Sequence, residues 1–129
     1  MLACQYGSAK ILNYLHDNLI AKSKNPEEIK RLLLETTKQA DNGIQAVHLA
    51  CFFGNLDILD ILHTKFNADF NKRTLLGLSG LHCAAQRKEG IVSIYYLKEN
   101  DEHFDPNVLD NFGASPLHYA IMSIEENNI

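Results

Sequence analysis

Long apolar runs are missing from this sequence. No stretch approaches the roughly 18 residues that a membrane span needs, and the N-terminus lacks the charged-then-apolar start of a signal peptide. The chain therefore reads as soluble. Cysteine is scarce: Cys4, Cys51 and Cys83 are odd in number and far apart, without the close pairing of a disulfide framework or zinc site. That usage fits a reducing, intracellular, cytoplasmic setting. Basic charge is also short, with 12 Lys and Arg against 16 Asp and Glu and a net charge of −4. Phosphate binding needs a basic stripe, so nucleic acid is not expected as the main partner. A Gly-rich phosphate loop, a nucleophile elbow and a His-Glu-x-x-His pair are all missing. Enzymatic activity, metal and small-molecule cofactors are not expected within these residues.

What is present is repetition. At 129 residues and 46% hydrophobic the chain suits one domain with a modest core. Asn111-Phe112-Gly113-Ala114-Ser115-Pro116-Leu117-His118-Tyr119-Ala120 is a Gly turn running into a short helix, and worn copies begin at Asn42-Gly43 and Leu76-Gly77. The matching histidines, His48, His82 and His118, lie 34 and 36 residues apart. Gly43, Gly77 and Gly113 sit where a tight turn calls for positive φ. Ser115 is placed to cap the helix that Pro116 starts, Ser79 can cap likewise, and Gln45 is a poorer cap whose helix should fray more easily. A Thr-Pro-Leu-His-x-Ala core with a period near 33 resembles the ankyrin repeat. The resemblance implies an all-α solenoid of stacked turn–helix–helix units, and in that family the histidine hydrogen-bonds backbone at the turn. Three histidines at one per repeat lie roughly 10 Å apart, too far for one metal ion.

Leu2-Ala3-Cys4 matches Leu49-Ala50-Cys51, so residues 1–19 read as a partial repeat that begins inside its first helix and continues in a second from Ser8 to about Leu19. Cys4 and Cys51 take a position that suits small-residue packing. Roughly thirteen extra residues then interrupt the period, and residues 20–39 read as an inserted segment. Within it Asn25-Pro26-Glu27-Glu28 is a helix start, Ile29, Leu32, Leu33 and Thr36 share a face, and Glu27 can pair with Arg31. Residues 40–73 form a repeat whose outer helix spans Asn55 to Leu62, with Asn67 in the left-handed position usually held by Gly. Residues 74–109 form the next; Lys88-Glu89-Gly90 implies a shifted inter-helix turn, and Val92, Tyr95, Tyr96 and Leu97 are expected on the buried face of a helix from Ile91 to Glu99. Asp57 and Asp60 are read as solvating groups on an outer face, and His16 and His63 as helix-end residues suited to the dipole. Residues 110–129 read as the start of a further repeat. Leu117, Ile121 and Ile124 then have no following helix to cover them, so a segment of a longer solenoid is expected.

Two functions follow from the resemblance. In the first, turn tips and inner helices form a concave surface that binds another protein or peptide. Its contact positions would be Asp41, Asn42 and Ile44, then Leu75, Leu76 and Leu78, then Asn111, Phe112 and Ala114, with Phe52, Gln86 and Arg87 from the helices. Leu75, Leu76, Leu78, Phe112 and Phe52 would make an apolar strip there, unless Leu75 or Leu78 folds back beneath its turn. In the second, Ile94-Tyr95-Tyr96-Leu97-Lys98-Glu99 followed by Asp110 to Ala120 resembles the ankyrin segment before the membrane domain of some protein S-acyltransferases. That likeness implies a substrate-recruiting or regulatory domain of a larger membrane enzyme or ion channel, with no catalytic residue of its own.

Overall fold

A computed structural model describes residues 9–34 and 43–127. Among these the regular structure is helical throughout: α1 (Ala9–Tyr14), which runs on as a π-helical segment Leu15–Ile20, α2 (Pro26–Leu34), α3 (Ala46–Phe53), α4 (Leu56–Thr64), α5 (Gly80–Ala84), a 3-10 turn Lys88–Gly90, α6 (Ile91–Asn100) and α7 (Pro116–Asn127). Helices α3, α5 and α7 pack in sequence as an inner layer, and α1, α4 and α6 stack behind them as an outer layer. The inserted helix α2 packs on the π-helical segment that precedes it.

Local chemistry sets the element ends. Asn55 Oδ1 accepts from the Ile58 N–H at 3.1 Å and starts α4. Asn67 holds φ +55°, the left-handed conformation expected of it, and Gly43, Gly77 and Gly113 hold φ +73°, +85° and +78°. Their turns stand side by side: a Cβ on Gly43 would lie 2.8 Å from the Leu75 nitrogen, and Asn111 donates to the Leu76 carbonyl at 2.9 Å.

The layers are closed by side chains of the alternating helices. Ile58, Leu59, Leu62 and Phe66 are fully buried, and α4 packs against α1, α3 and α6. Ser93 donates its hydroxyl to the Cys51 carbonyl at 2.7 Å, tying α6 to the preceding inner helix. Cys51 and Cys83 are buried, as packing residues should be, while Cys4 lies outside the described residues.

Several expectations are corrected. Helix α6 buries Ser93, Tyr96 and Leu97, whereas Val92 and Tyr95 are 40% and 64% exposed. A 3.6-residue period puts positions 93, 96 and 97 on one stripe, and 92 and 95 point away from it. Asp60 does more than solvate: it accepts the Tyr96 hydroxyl at 2.9 Å, linking neighbouring outer helices. His16 is not at a helix end, because the π-helical segment runs on to Ile20, and its Nδ1 faces Asp17 at 2.8 Å. Glu27 pairs with Lys30 at 3.3 Å; the side chains of Arg31, Leu32 and Leu33, like residue 36, lie outside the described residues.

The two inter-helix turns differ as the position of Gly90 implied. Gly54 caps α3 at φ +67°, and a Cβ there would meet the Glu89 carbonyl oxygen at 2.0 Å. Gly90 instead ends the 3-10 turn at φ −65°, where a Cβ would overlap the Ala84 carbonyl. Its glycine is required by close backbone approach alone. Gly113, also at positive φ, has open space around it. Gly54→Ala should therefore destabilise by about 3 kcal/mol, combining backbone strain with overpacking, and Gly113→Ala by about 1 kcal/mol from strain alone. Urea denaturation of the two variants checks the difference.

Candidate functional site: the concave face

Each inner helix begins with the same device. The backbone N–H of Gln45 donates to His48 Nδ1 at 2.9 Å, that of Ser79 to His82 Nδ1 at 3.0 Å, and that of Ser115 to His118 Nδ1 at 2.9 Å. With Nδ1 an acceptor, the ring proton sits on Nε2. His48 Nε2 then donates to the Lys72 carbonyl at 2.8 Å and His82 Nε2 to the Ala114 carbonyl at 3.0 Å. The helix that Gln45 opens is thus anchored at its start through its own histidine. Ser79 caps α5 as expected, accepting from the His82 N–H at 3.4 Å. Ser115 stands directly before α7, with its hydroxyl on His118 Nδ1 at 2.9 Å.

These bonds fix one turn beside the next, and a concavity of about 310 Å³ opens between the turns and inner helices α3 and α5. Ile44, Phe52, Leu76, Leu78 and Gln86 line it, bringing together five of the positions read from sequence. Leu49, Thr74, His48 and Cys83 complete the wall and were not anticipated. Leu49 precedes Phe52 by three residues on α3, so helical spacing from Phe52 was the signal that could have found it. The polar wall groups are largely spent internally: His48 as above, and Thr74 Oγ1 on the Leu78 N–H at 3.1 Å. Burial pushes the Cys83 thiol up to about 12, so it stays protonated and serves as an apolar wall group.

The remaining positions divide. Leu75 is exposed with its side chain beside Gly43, so it does not fold beneath its turn, while Leu78 is half-buried in the wall. Phe112 is 78% exposed one turn further along and outside the concavity. Asn111 and Ala114 work within the scaffold, Asn111 Nδ2 donating to the Leu75 carbonyl at 2.8 Å and Ala114 receiving His82. The Arg87 guanidinium lies 5.0 Å from both the Phe52 and Phe53 ring centroids, with Nη2 3.3 Å from Glu89. Asp41 and Asn42 lie outside the described residues.

Beneath the last turn Asp110 accepts from the Phe112 and Ala114 N–H groups at 2.9 and 2.8 Å and from the Tyr119 hydroxyl. The Tyr119 bond is the main cause holding the Asp110 carboxyl below its usual range. Among the described residues no group of three His, Cys, Asp or Glu side chains could hold a metal ion.

A family model described as ankyrin repeats (3 copies) matches residues 48–129. Among curated proteins, the probable 26S proteasome regulatory subunit p28 of Saccharomyces cerevisiae is 36% identical over 81 residues, which are 62% of this chain and 34% of that protein. The chain thus spans about a third of the length of that relative. Among solved structures, a chain from the crystal structure of the yeast ribosomal protein Rps3 in complex with its chaperone Yar1 superposes with a TM-score of 0.67 at 21% identity, covering 98% of this chain and 83% of that one. At that identity the likeness speaks for the fold.

Burial lowers the affinity of both His48 and His82 for a proton below the usual 6.5, and a second proton would also turn Nδ1 against a backbone N–H. The unfolded chain then binds more protons than the folded one as pH falls below 6.5, so stability is full above that value and declines beneath it. The melting temperature should fall between pH 7 and pH 5, with His48 and His82 ring resonances titrating below 6.5. An NMR midpoint at or above 6.5 for either ring would contradict this.

Proposed function

This chain belongs to the ankyrin-repeat family, and from that premise we propose that it is a protein-binding module whose partner, another protein or peptide, lies across the turn tips and inner helices. Ankyrin repeats are protein-interaction modules built without catalytic machinery. The observation that supports the placement is the apolar concavity itself. Ile44, Leu76, Leu78 and Phe52 present hydrocarbon to solvent on the side where the turns converge, and contiguous exposed apolar surface marks interfaces. Among the described residues no helix is long and apolar enough to cross a membrane.

The repeat boundaries that go with this reading are a partial unit over 1–19, an insert over 20–39, repeats over 40–73 and 74–109, and a further unit from 110 to 129. A reducing, cytoplasmic setting suits the buried thiols of Cys51 and Cys83.

Leu76 and Phe112 are 47% and 78% exposed, so replacing them costs the fold little, about 0.5 kcal/mol each. As interface anchors such side chains contribute about 2 kcal/mol or more apiece. The double variant Leu76→Lys with Phe112→Ser should lose partner capture in crosslinking experiments while its circular-dichroism melt stays close to that of the parent. Retained capture, or an unfolded variant, would show that the concave surface is not the binding face or that these residues are core.

A further inference from the structure

We infer that the concavity takes an amphipathic α-helix of another protein, two apolar side chains one turn apart entering it and a carboxylate of the same helix pairing with Arg87. The inference rests on the concave-face reading above and adds the conformation and charge of the occupant.

Conformation follows from the hydrogen bonds around the site. The Leu75 and Leu76 carbonyls receive Asn111 at 2.8 and 2.9 Å. The Thr74 N–H is closed onto Leu78 at 2.9 Å, and the Leu78 N–H onto Thr74. An extended peptide laid against this wall would find no ladder to pair with, and its own amides would be desolvated without partners. A helix arrives with its backbone bonds already made and offers apolar side chains at i and i+4. The volume of about 310 Å³ is about twice the roughly 150 Å³ that houses one benzene ring, which is room for two such side chains.

Charge follows from Arg87. Its guanidinium lies 5.0 Å from the ring centroid of Phe52, itself part of the wall, and 5.0 Å from that of Phe53. Nη2 faces Glu89, while Nη1 is buried and has no acceptor among the described residues. Around the concavity itself no carboxylate is present in the described wall. A preorganised, partly exposed cation beside an uncharged apolar hollow, its Nη2 edge shared with the half-exposed Glu89, is complementary to an acidic side chain flanking an apolar pair.

Three synthetic peptides of about 16 residues, long enough to hold a helix on an alanine background, test this against the full chain by fluorescence anisotropy. The first carries Leu at i and i+4 with Glu one turn on, the second has Lys for that Glu, and the third keeps the first's Leu and Glu but replaces background alanines with prolines that forbid helix. The first should bind, the second about tenfold more weakly as a charge pair is lost, and the third not at all. Arg87→Gln should erase the Glu-over-Lys preference. Glu89→Gln, at an exposed position, should strengthen it and serves if the Arg87 variant is unstable. Failure of the first peptide to bind, equal binding of the proline peptide, or a Glu preference that survives Arg87→Gln and ignores Glu89→Gln would each overturn the inference. Leu76→Lys separates the two levels. If a peptide binds and this variant does not weaken it, the concave-face reading itself fails; if the variant abolishes binding without any charge preference, only the present inference does.

Discussion

The structure depends on a histidine used as a two-ended clamp. One ring nitrogen accepts the backbone N–H that opens its own helix, and the other donates to a carbonyl belonging to the next turn, as His48 does between Gln45 and Lys72 and His82 between Ser79 and Ala114. Both rings are buried, so these bonds are unshielded by water, and leaving either end unmet would cost about 1–3 kcal/mol for each stranded group. Neutrality is part of the device. The same burial that strengthens the bonds disfavours the imidazolium that would break them.

Function follows from spacing. A repeat cannot bury both faces of its helices alone, so neighbours must stack, and the clamp decides how one turn meets the next. Leu76 and Leu78 reach the concavity because the turn they occupy follows directly on the carbonyl that His48 holds. Ser93 on the Cys51 carbonyl and Tyr96 on Asp60 do the corresponding work between the inner and outer layers and within the outer layer. The concave wall is then left with apolar side chains and few unspent polar groups, which suits a partner that brings its own hydrogen bonds satisfied.

Much of this was legible in the residues because glycine, histidine and capping side chains act locally. The period of His48, His82 and His118 led to the stacked helical fold, and Asn67 could be read as left-handed from its place after α4. The buried face of α6 was misread because Val92 and Tyr95 are as apolar as the residues that are buried, and Ser93 looks polar. Only the Cys51 carbonyl, 42 residues away in sequence, explains why a serine belongs in the core. At the concave face the turn residues Leu76 and Leu78 were visible as hydrocarbon at positions that normally carry polar groups. Leu49 and Cys83 were not, since their exposure to the hollow depends on how far apart α3 and α5 are held. The roles of Asn111 and Ala114 as scaffold partners also lay beyond sequence, because both act through contacts across neighbouring repeats.

The clamp is tested most directly by amide hydrogen exchange on His48→Ala. Removing the ring frees the Lys72 carbonyl and the Gln45 N–H, so exchange at Thr74, Gly77 and Leu78 should accelerate together. Asp110 and Ala114, whose turn is held by His82 and by the Asp110 carboxylate, should keep their protection. Equal acceleration in both turns, or no change in either, would show that the histidines do not set the turn spacing one repeat at a time.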